Sequence, residues 1–227
     1  MSWREVLNSE SHPWVQKSKQ LLQSQVSAEQ LPYLLSRCIF EIEEAAFNQY
    51  IDFIGDISAL KGKASVGEVG CGNGGLLLAL KNIYGIVPSG TDISTQLIEV
   101  CKQIHQSTAN NFHVGTELTV PVDVCLLNSV CQYLTEAEVL NLIESTDCSK
   151  IVLTDIKNST EYNRFIETQA NRQGLTVHQR NRKYKNTPLT HFSKSFFTDL
   201  GVDAQIHSMP EYYPDSEFAT FAVVINK

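Results

Sequence analysis

The sequence has no C-x-x-C pair, no apolar run long enough to cross a bilayer, and no excess of positive charge. Each absence closes off a class of protein. Six cysteines, at 38, 71, 101, 125, 131 and 148, lack the paired spacing of a zinc site or a thioredoxin-like motif. Several fall in stretches that read as core helix or strand, so buried free thiols are expected and no metal site. A membrane-spanning helix needs about 20 apolar residues, and no segment supplies them. A net charge of −7 disfavours a protein built to wrap nucleic-acid backbone. The opening Met1-Ser2-Trp3-Arg4-Glu5 does not begin a basic region followed by an apolar run and a cleavage site. A cytoplasmic location is therefore expected, away from membranes.

What remains is ordinary globular composition, 42% hydrophobic and 19% charged over 227 residues. That length buries a sizeable core without staples and suits one structural domain. Residues 1–60 read as an N-terminal helical layer and 61–227 as a ligand-binding α/β domain. Ser27 with Gln30 resembles a capping box opening a helix around Pro32. Leu31, Leu35, Cys38, Ile42 and Ala45 then recur at helical spacing.

Beyond Lys61-Gly62-Lys63, strands and helices alternate. Strands are expected at 64–69, 87–92, 112–114, 122–128 and 151–155. Helices are expected at 75–83, at 95–106 behind the cap Ser94, after the Thr135/Glu138 capping box, and near 160–171. Such alternation dictates a mostly parallel sheet covered on both faces. Residues 203–207 and 218–225, separated by a Pro- and Tyr-rich turn, read as a final strand pair.

The chemistry concentrates at Glu68-Val69-Gly70-Cys71-Gly72-Asn73-Gly74-Gly75, a glycine turn between strand and helix. Glycines there let the backbone pass close to a nucleotide. Asp92 ends the next strand about 20 residues on, where a carboxylate can accept hydrogen bonds from both ribose hydroxyls. Gly70, Gly72 and Gly75 also satisfy the dinucleotide spacing, so an NAD-type oxidoreductase competes. Glu68 weighs against it, because a carboxylate beside the turn suits a cationic sulfonium amino acid better than a pyrophosphate. The long helical lead and the C-terminal strand pair point the same way.

With these residues in place, the chain resembles the class I S-adenosylmethionine-dependent methyltransferases over roughly 60–227. Glu68 to Gly74 matches that family's E/D-x-G-x-G-x-G loop, Val122 to Leu134 its fourth motif, and Ile151 to Asp155 its fifth strand. The resemblance implies a Rossmann-like seven-stranded sheet, helices on both faces, an antiparallel C-terminal edge strand and an N-terminal helical extension. It implies S-adenosylmethionine as cofactor and S-adenosylhomocysteine as product. The cofactor residues it implies are Glu68, Gly70, Cys71, Gly72, Gly74, Asp92, Ile93, Thr116, Glu117, Asn128 and Ser129. Gly115-Thr116-Glu117 departs from the family's Gly-Asp pair near the adenine, leaving Thr116 or Glu117 to supply that contact. Asn128-Ser129-Val130 replaces the Asn/Asp-Pro-Pro-Tyr form of many base- and glutamine-methylating members and is common in small-molecule ones.

One basic cluster, His178 to His191, interrupts an acidic chain. It is either a solvated loop or a lid over the strand ends that clamps an anionic or hydroxylated acceptor. In the second reading His191 is the general base and Tyr184 orients the substrate. The expected activity is methyl transfer to a small molecule, at a hydroxyl of a metabolite or glycan precursor. A nucleic-acid methyltransferase using Arg180 to Lys185, and a cofactor-binding protein that does not methylate, are the alternatives.

Overall fold

The computed structural model describes residues 12–39, 42–62, 64–161, 164, 167, 168, 170, 171, 174, 176, 190–210 and 220–227. Three helices precede the sheet: α1 (Pro13–Gln23), α2 (Leu31–Ile39) and α3 (Glu44–Ser58). Then come β1 (Ser65–Val69), α4 (Gly75–Tyr84), β2 (Val87–Asp92), α5 (Thr95–Ile104), β3 (Phe112–Val114), β4 (Val122–Asn128), α6 (Glu136–Ser145) and β5 (Cys148–Lys157). The chain closes with α7 (Lys194–Thr198), β6 (Asp203–Ser208) and β7 (Thr220–Asn226).

The sheet has seven strands in the order β3-β2-β1-β4-β5-β7-β6. Strands β1 to β5 pair in parallel, and β7 runs antiparallel between β5 and β6. The C-terminal strand is thus the antiparallel one, yet it lies inside the sheet with β6 outside it. The order reverses between β1 and β4, and a crevice opens at the carboxyl ends of strands at such a switch point.

Central strands are buried on both faces, and their residues alternate between two cores. Val66, Leu126, Val152 and Val224 face one cluster, with Phe47, Tyr50, Ile51 and Ile54 of α3 and Leu76, Leu77 and Leu80 of α4. Val69, Cys125, Leu127, Ile151, Leu153, Val223 and Ile225 face the other, with Val139, Leu142 and Ile143 of α6 and Phe197 of α7. Helices α2, through Tyr33, and α3 therefore share a core with the sheet.

Local signals explain most boundaries. Thr135 caps α6 through its hydroxyl while Glu138 reaches back to the Thr135 amide at 2.8 Å. Gln30 donates its amide to Ser27 Oγ at 3.3 Å just ahead of α2. The expected face through Ile42 and Ala45 does not continue as one helix: α2 ends at Ile39, and Ala45 is exposed in the first turn of α3. Helix α5 stops at Ile104, short of the predicted 106, because His105 leaves the helical path to meet the glycine turn. Helix α1 falls within the expected N-terminal helical layer but was not delimited, and the short α7 had no sequence prediction. Of the helix expected near 160–171, residues 164, 167, 168, 170 and 171 are helical and several others lie outside the described residues. Among the described residues no helix is long and apolar enough to cross a membrane.

Candidate functional site

The glycine turn is held open by backbone geometry that a side chain would resist. Gly70, Gly72 and Gly74 have φ of 74°, 54° and 76°. The amides of Gly70 and Cys71 both donate to Thr91 O, at 2.7 and 2.9 Å, tying the turn to the end of β2. Asp92 finishes that strand. Its Oδ2 accepts the Gly72 amide at 2.9 Å and its Oδ1 the Ser94 amide at 2.8 Å. Burial raises the Asp92 pKa, and the amides of Ser94, Gly72 and Ile93 oppose the rise by stabilising the carboxylate.

The N-terminal helices are stitched to the same turn. Asn73 donates through Nδ2 to Ser18 Oγ of α1 at 2.9 Å and to Leu35 O of α2 at 2.7 Å. Its Oδ1 accepts the Gly75 amide at 3.2 Å. At Gly75 a Cβ would lie 3.0 Å from Leu35 Cβ and from Ser36 N, so α2 packs closely on the start of α4. From behind, Cys101 Sγ donates to Gly72 O at 3.2 Å and His105 Nε2 to Gly74 O at 3.2 Å. A carbonyl only accepts, so His105 carries its proton on Nε2. Burial lowers its pKa to about 4.

These elements enclose a cavity of about 480 Å³. Of the residues singled out in the sequence, Glu68, Gly70, Cys71, Gly72, Asp92, Ile93, Thr116, Glu117, Asn128 and Ser129 line it together. Gly74 does not; it sits one step behind, as the left-handed N-cap of α4. Tyr184 lies outside the described residues, as does most of the basic cluster. His191 is half-buried and absent from the cavity wall, although the neighbouring Thr190 amide donates to the carbonyl of Gln132, a wall residue, at 2.8 Å. Burial and the Lys157 ammonium lower the His191 pKa, which keeps its imidazole neutral.

Glu68 is the electrostatic centre of the wall. It is 2% exposed, and its Oε2 has no hydrogen-bond partner among the described residues. Burial, reinforced by the Asp92 charge, pushes its pKa well above the usual carboxylate range. With Asp92, Glu117 and Glu138 it makes four carboxyl groups around the cavity, and no Lys, Arg or His stands among the described lining residues.

The carboxyl end of β4 has its own network. Tyr50 of α3 donates its hydroxyl to Asn128 Oδ1 and lies 2.8 Å from Thr154 Oγ1, which is in turn 3.1 Å from Asn128 Oδ1. Ser129 Oγ donates to Asp155 Oδ2 at 2.7 Å, and Lys157 Nζ pairs with Asp155 Oδ1 at 2.8 Å. Sequence reasoning missed Trp14, Ser36 and Ile39 in the wall, and the roles of Tyr50, Asn73 and Asp155. Asn73 and Asp155 stood inside quoted motifs; Tyr50 carried no local signal.

No family model matches the chain. A nonribosomal peptide synthetase of Penicillium thymicola is 29% identical over 167 residues, 62% of this chain. The match spans only 6% of that synthetase's length. Solved structures are similar in fold. The pyocyanin biosynthetic protein PhzM superposes with a TM-score of 0.58 at 16% identity, over 93% of this chain and 62% of that one. A geranyl diphosphate C-methyltransferase from Streptomyces coelicolor A3(2), bound to Mg2+, geranyl-S-thiolodiphosphate and S-adenosyl-L-homocysteine, gives 0.56 at 12% identity over 98% and 94%. The chain has the Rossmann-like fold of class I S-adenosylmethionine-dependent methyltransferases.

Proposed function

We propose that the chain binds S-adenosylmethionine in this cavity and transfers its methyl group to a hydroxyl of a small molecule. The observation that carries the reading is Glu68, a buried carboxyl on the cavity wall beside Asp92 with one oxygen unpartnered among the described residues. An unsatisfied buried acceptor is costly unless a ligand donates to it. The ammonium of a methionyl group would donate, and the nearby sulfonium is also positive. A dinucleotide pyrophosphate would instead meet four carboxyl groups and no cation among the described wall residues.

The remaining wall fits the same ligand. Gly70, Cys71 and Gly72 offer backbone for close approach, Asp92 faces the ribose, and Ile93, Thr116 and Glu117 surround the adenine. Asn128 and Ser129, at the end of β4, border the transferred methyl. The cofactor supplies an electrophilic methyl carbon when bound. The protein's part is to align an acceptor lone pair with it and to keep water away. Where the acceptor is a hydroxyl, a base must take its proton; His191, which the sequence nominates, is kept neutral but does not line the cavity. The bound S-adenosyl-L-homocysteine of the geranyl diphosphate enzyme supports the cofactor assignment.

Calorimetry against S-adenosylmethionine, S-adenosylhomocysteine and NAD tests the cofactor. Binding of the first two without the third is expected; tight NAD binding with no response to S-adenosylhomocysteine would sink the reading. Incubation with methyl-labelled cofactor and a metabolite extract, followed by identification of the labelled atom, tests the acceptor.

A further inference from the structure

Three non-glycine residues have positive φ among the described residues: Ala59, Ser129 and Asp155. Ala59 is the left-handed C-cap of α3 and has an ordinary explanation. Ser129, at 55°, directly follows β4, and Asp155, at 54°, lies in β5 two residues before its end, next to the pair Asn128 and Thr154 that are in register. Left-handed backbone at such residues persists only where the surroundings enforce it, and it gathers at functional sites. Here the Ser129 amide donates to Thr154 O at 3.2 Å. The β5–β7 ladder slips between Leu153 and Ile156, which places Asp155 in the irregularity. A slip of this kind re-aims a side chain that regular pleating would send elsewhere.

The result is an ordered chain of three groups. Lys157 Nζ holds Asp155 Oδ1 at 2.8 Å, and Ser129 Oγ donates to Asp155 Oδ2 at 2.7 Å. Both Ser129 and Asp155 are buried, and Ser129 lines the cavity next to Asn128. A hydroxyl has one proton, and that of Ser129 is committed to Asp155. Towards a ligand, its oxygen offers lone pairs.

We propose that Ser129 accepts the proton of the acceptor hydroxyl and that Asp155, acting through it, is where the proton charge is neutralised. This rests on the methyl-transfer reading above and supplies its base. The acceptor oxygen forms the new bond to the methyl carbon while the methyl–sulfur bond breaks, its electron pair going to sulfur. The acceptor's proton moves to Ser129 Oγ as the serine's own proton moves to Asp155 Oδ2. The sulfonium charge and the Asp155 charge vanish together, so no net charge is created in the cavity. The proton passes to water between turnovers. Lys157 fixes which carboxylate oxygen faces the serine.

The test uses the full chain, methyl-labelled S-adenosylmethionine and two acceptors, phenol and 4-nitrophenol, at about pH 8.5. The second is already ionised there and needs no base. The variants are Asp155→Asn and Ser129→Gly, both of residue types that accept positive φ, together with His191→Ala. A melting temperature and circular dichroism spectrum matching those of the parent certify a folded chain, and kcat is read at saturating S-adenosylmethionine. With phenol, kcat of the first two variants falls by about a hundredfold or more, the contribution of a positioned base. With 4-nitrophenol the fall stays under about tenfold. Equal losses with both acceptors would make the pair structural and overturn the proposal. A phenol-selective loss in His191→Ala alone would overturn it in favour of the histidine. Failure of the unsubstituted protein to methylate either phenol would overturn the hydroxyl reading itself, before any variant is compared.

Discussion

Asp92 and Gly72 are joined by a hydrogen bond from the Gly72 amide to Asp92 Oδ2, 2.9 Å long, that links the end of β2 to the top of the glycine turn. One carboxylate therefore shapes the loop and faces the cavity. Asp92→Ala removes both functions, and S-adenosylhomocysteine affinity should weaken by about 1–3 kcal/mol, roughly 5- to 150-fold. Asp92→Asn, which keeps the shape but loses the charge, should fall between. Isothermal calorimetry decides; unchanged affinity in the alanine variant would remove Asp92 from the site.

Glu68 should show a trade between stability and binding. Its folded-state pKa is raised, so the folded protein holds the proton more tightly than the unfolded chain. The contribution is fully favourable below the ordinary carboxylate value of 4.5 and declines as pH climbs from there through the raised folded value. Glu68→Gln abolishes that decline. The unliganded variant should melt higher than the parent near neutral pH, with a flatter profile, and bind S-adenosylmethionine less tightly. Scanning calorimetry across pH checks the first half, and a variant that melts lower would contradict it.

His105 gives the opposite sign in a different window. Its pKa falls from 6.5 to about 4 on folding, so its stabilising contribution is complete above 6.5 and is lost as pH drops through the folded value. The difference corresponds to about 3 kcal/mol. His105→Phe would preserve the ring beside Phe112, which His105 stacks on at 4.8 Å, but drop the bond to Gly74. The variant should lose stability near neutral pH and lose less of it on acidification than the parent. Parallel melting curves from about pH 7 to pH 4 would refute the assignment.

Which parts of this could be read from sequence follows from what is local. The glycine turn, Asp92 and the Thr135/Glu138 box are punctuated by residue types whose physics acts within a few positions, and β3 and β4 were delimited in full. Helix α1 was not, since only Val15 and Ser18 of its residues are buried and its periodicity is faint. The insertion of β7 between β5 and β6 is a long-range pairing with no local signal. The left-handed backbone at Ser129 and Asp155 is equally silent, because neither is glycine. Asn73 stands at a variable position of the glycine motif, and its ties to Ser18 and Leu35 appear only once α1 and α2 are packed.

Tyr50 tests whether the N-terminal helices merely cover the sheet or set its chemistry. It is buried on α3, and its hydroxyl meets Asn128 and Thr154 at the carboxyl ends of β4 and β5. With Oδ1 of Asn128 taken by that hydroxyl, the amide is oriented and its Nδ2 is the group left for a ligand. Tyr50→Phe deletes one oxygen and leaves the ring packed, so the cavity term is small and the unmade hydrogen bond dominates. The fold should lose about 1–3 kcal/mol, because Asn128 Oδ1 and Thr154 Oγ1 stay buried with one partner fewer. S-adenosylhomocysteine affinity should drop as well, since the amide is free to rotate out of register. Chemical denaturation gives the first quantity and calorimetry the second. A loss of stability with native affinity would confine Tyr50 to packing, and Asn128 would then be oriented by Thr154 alone.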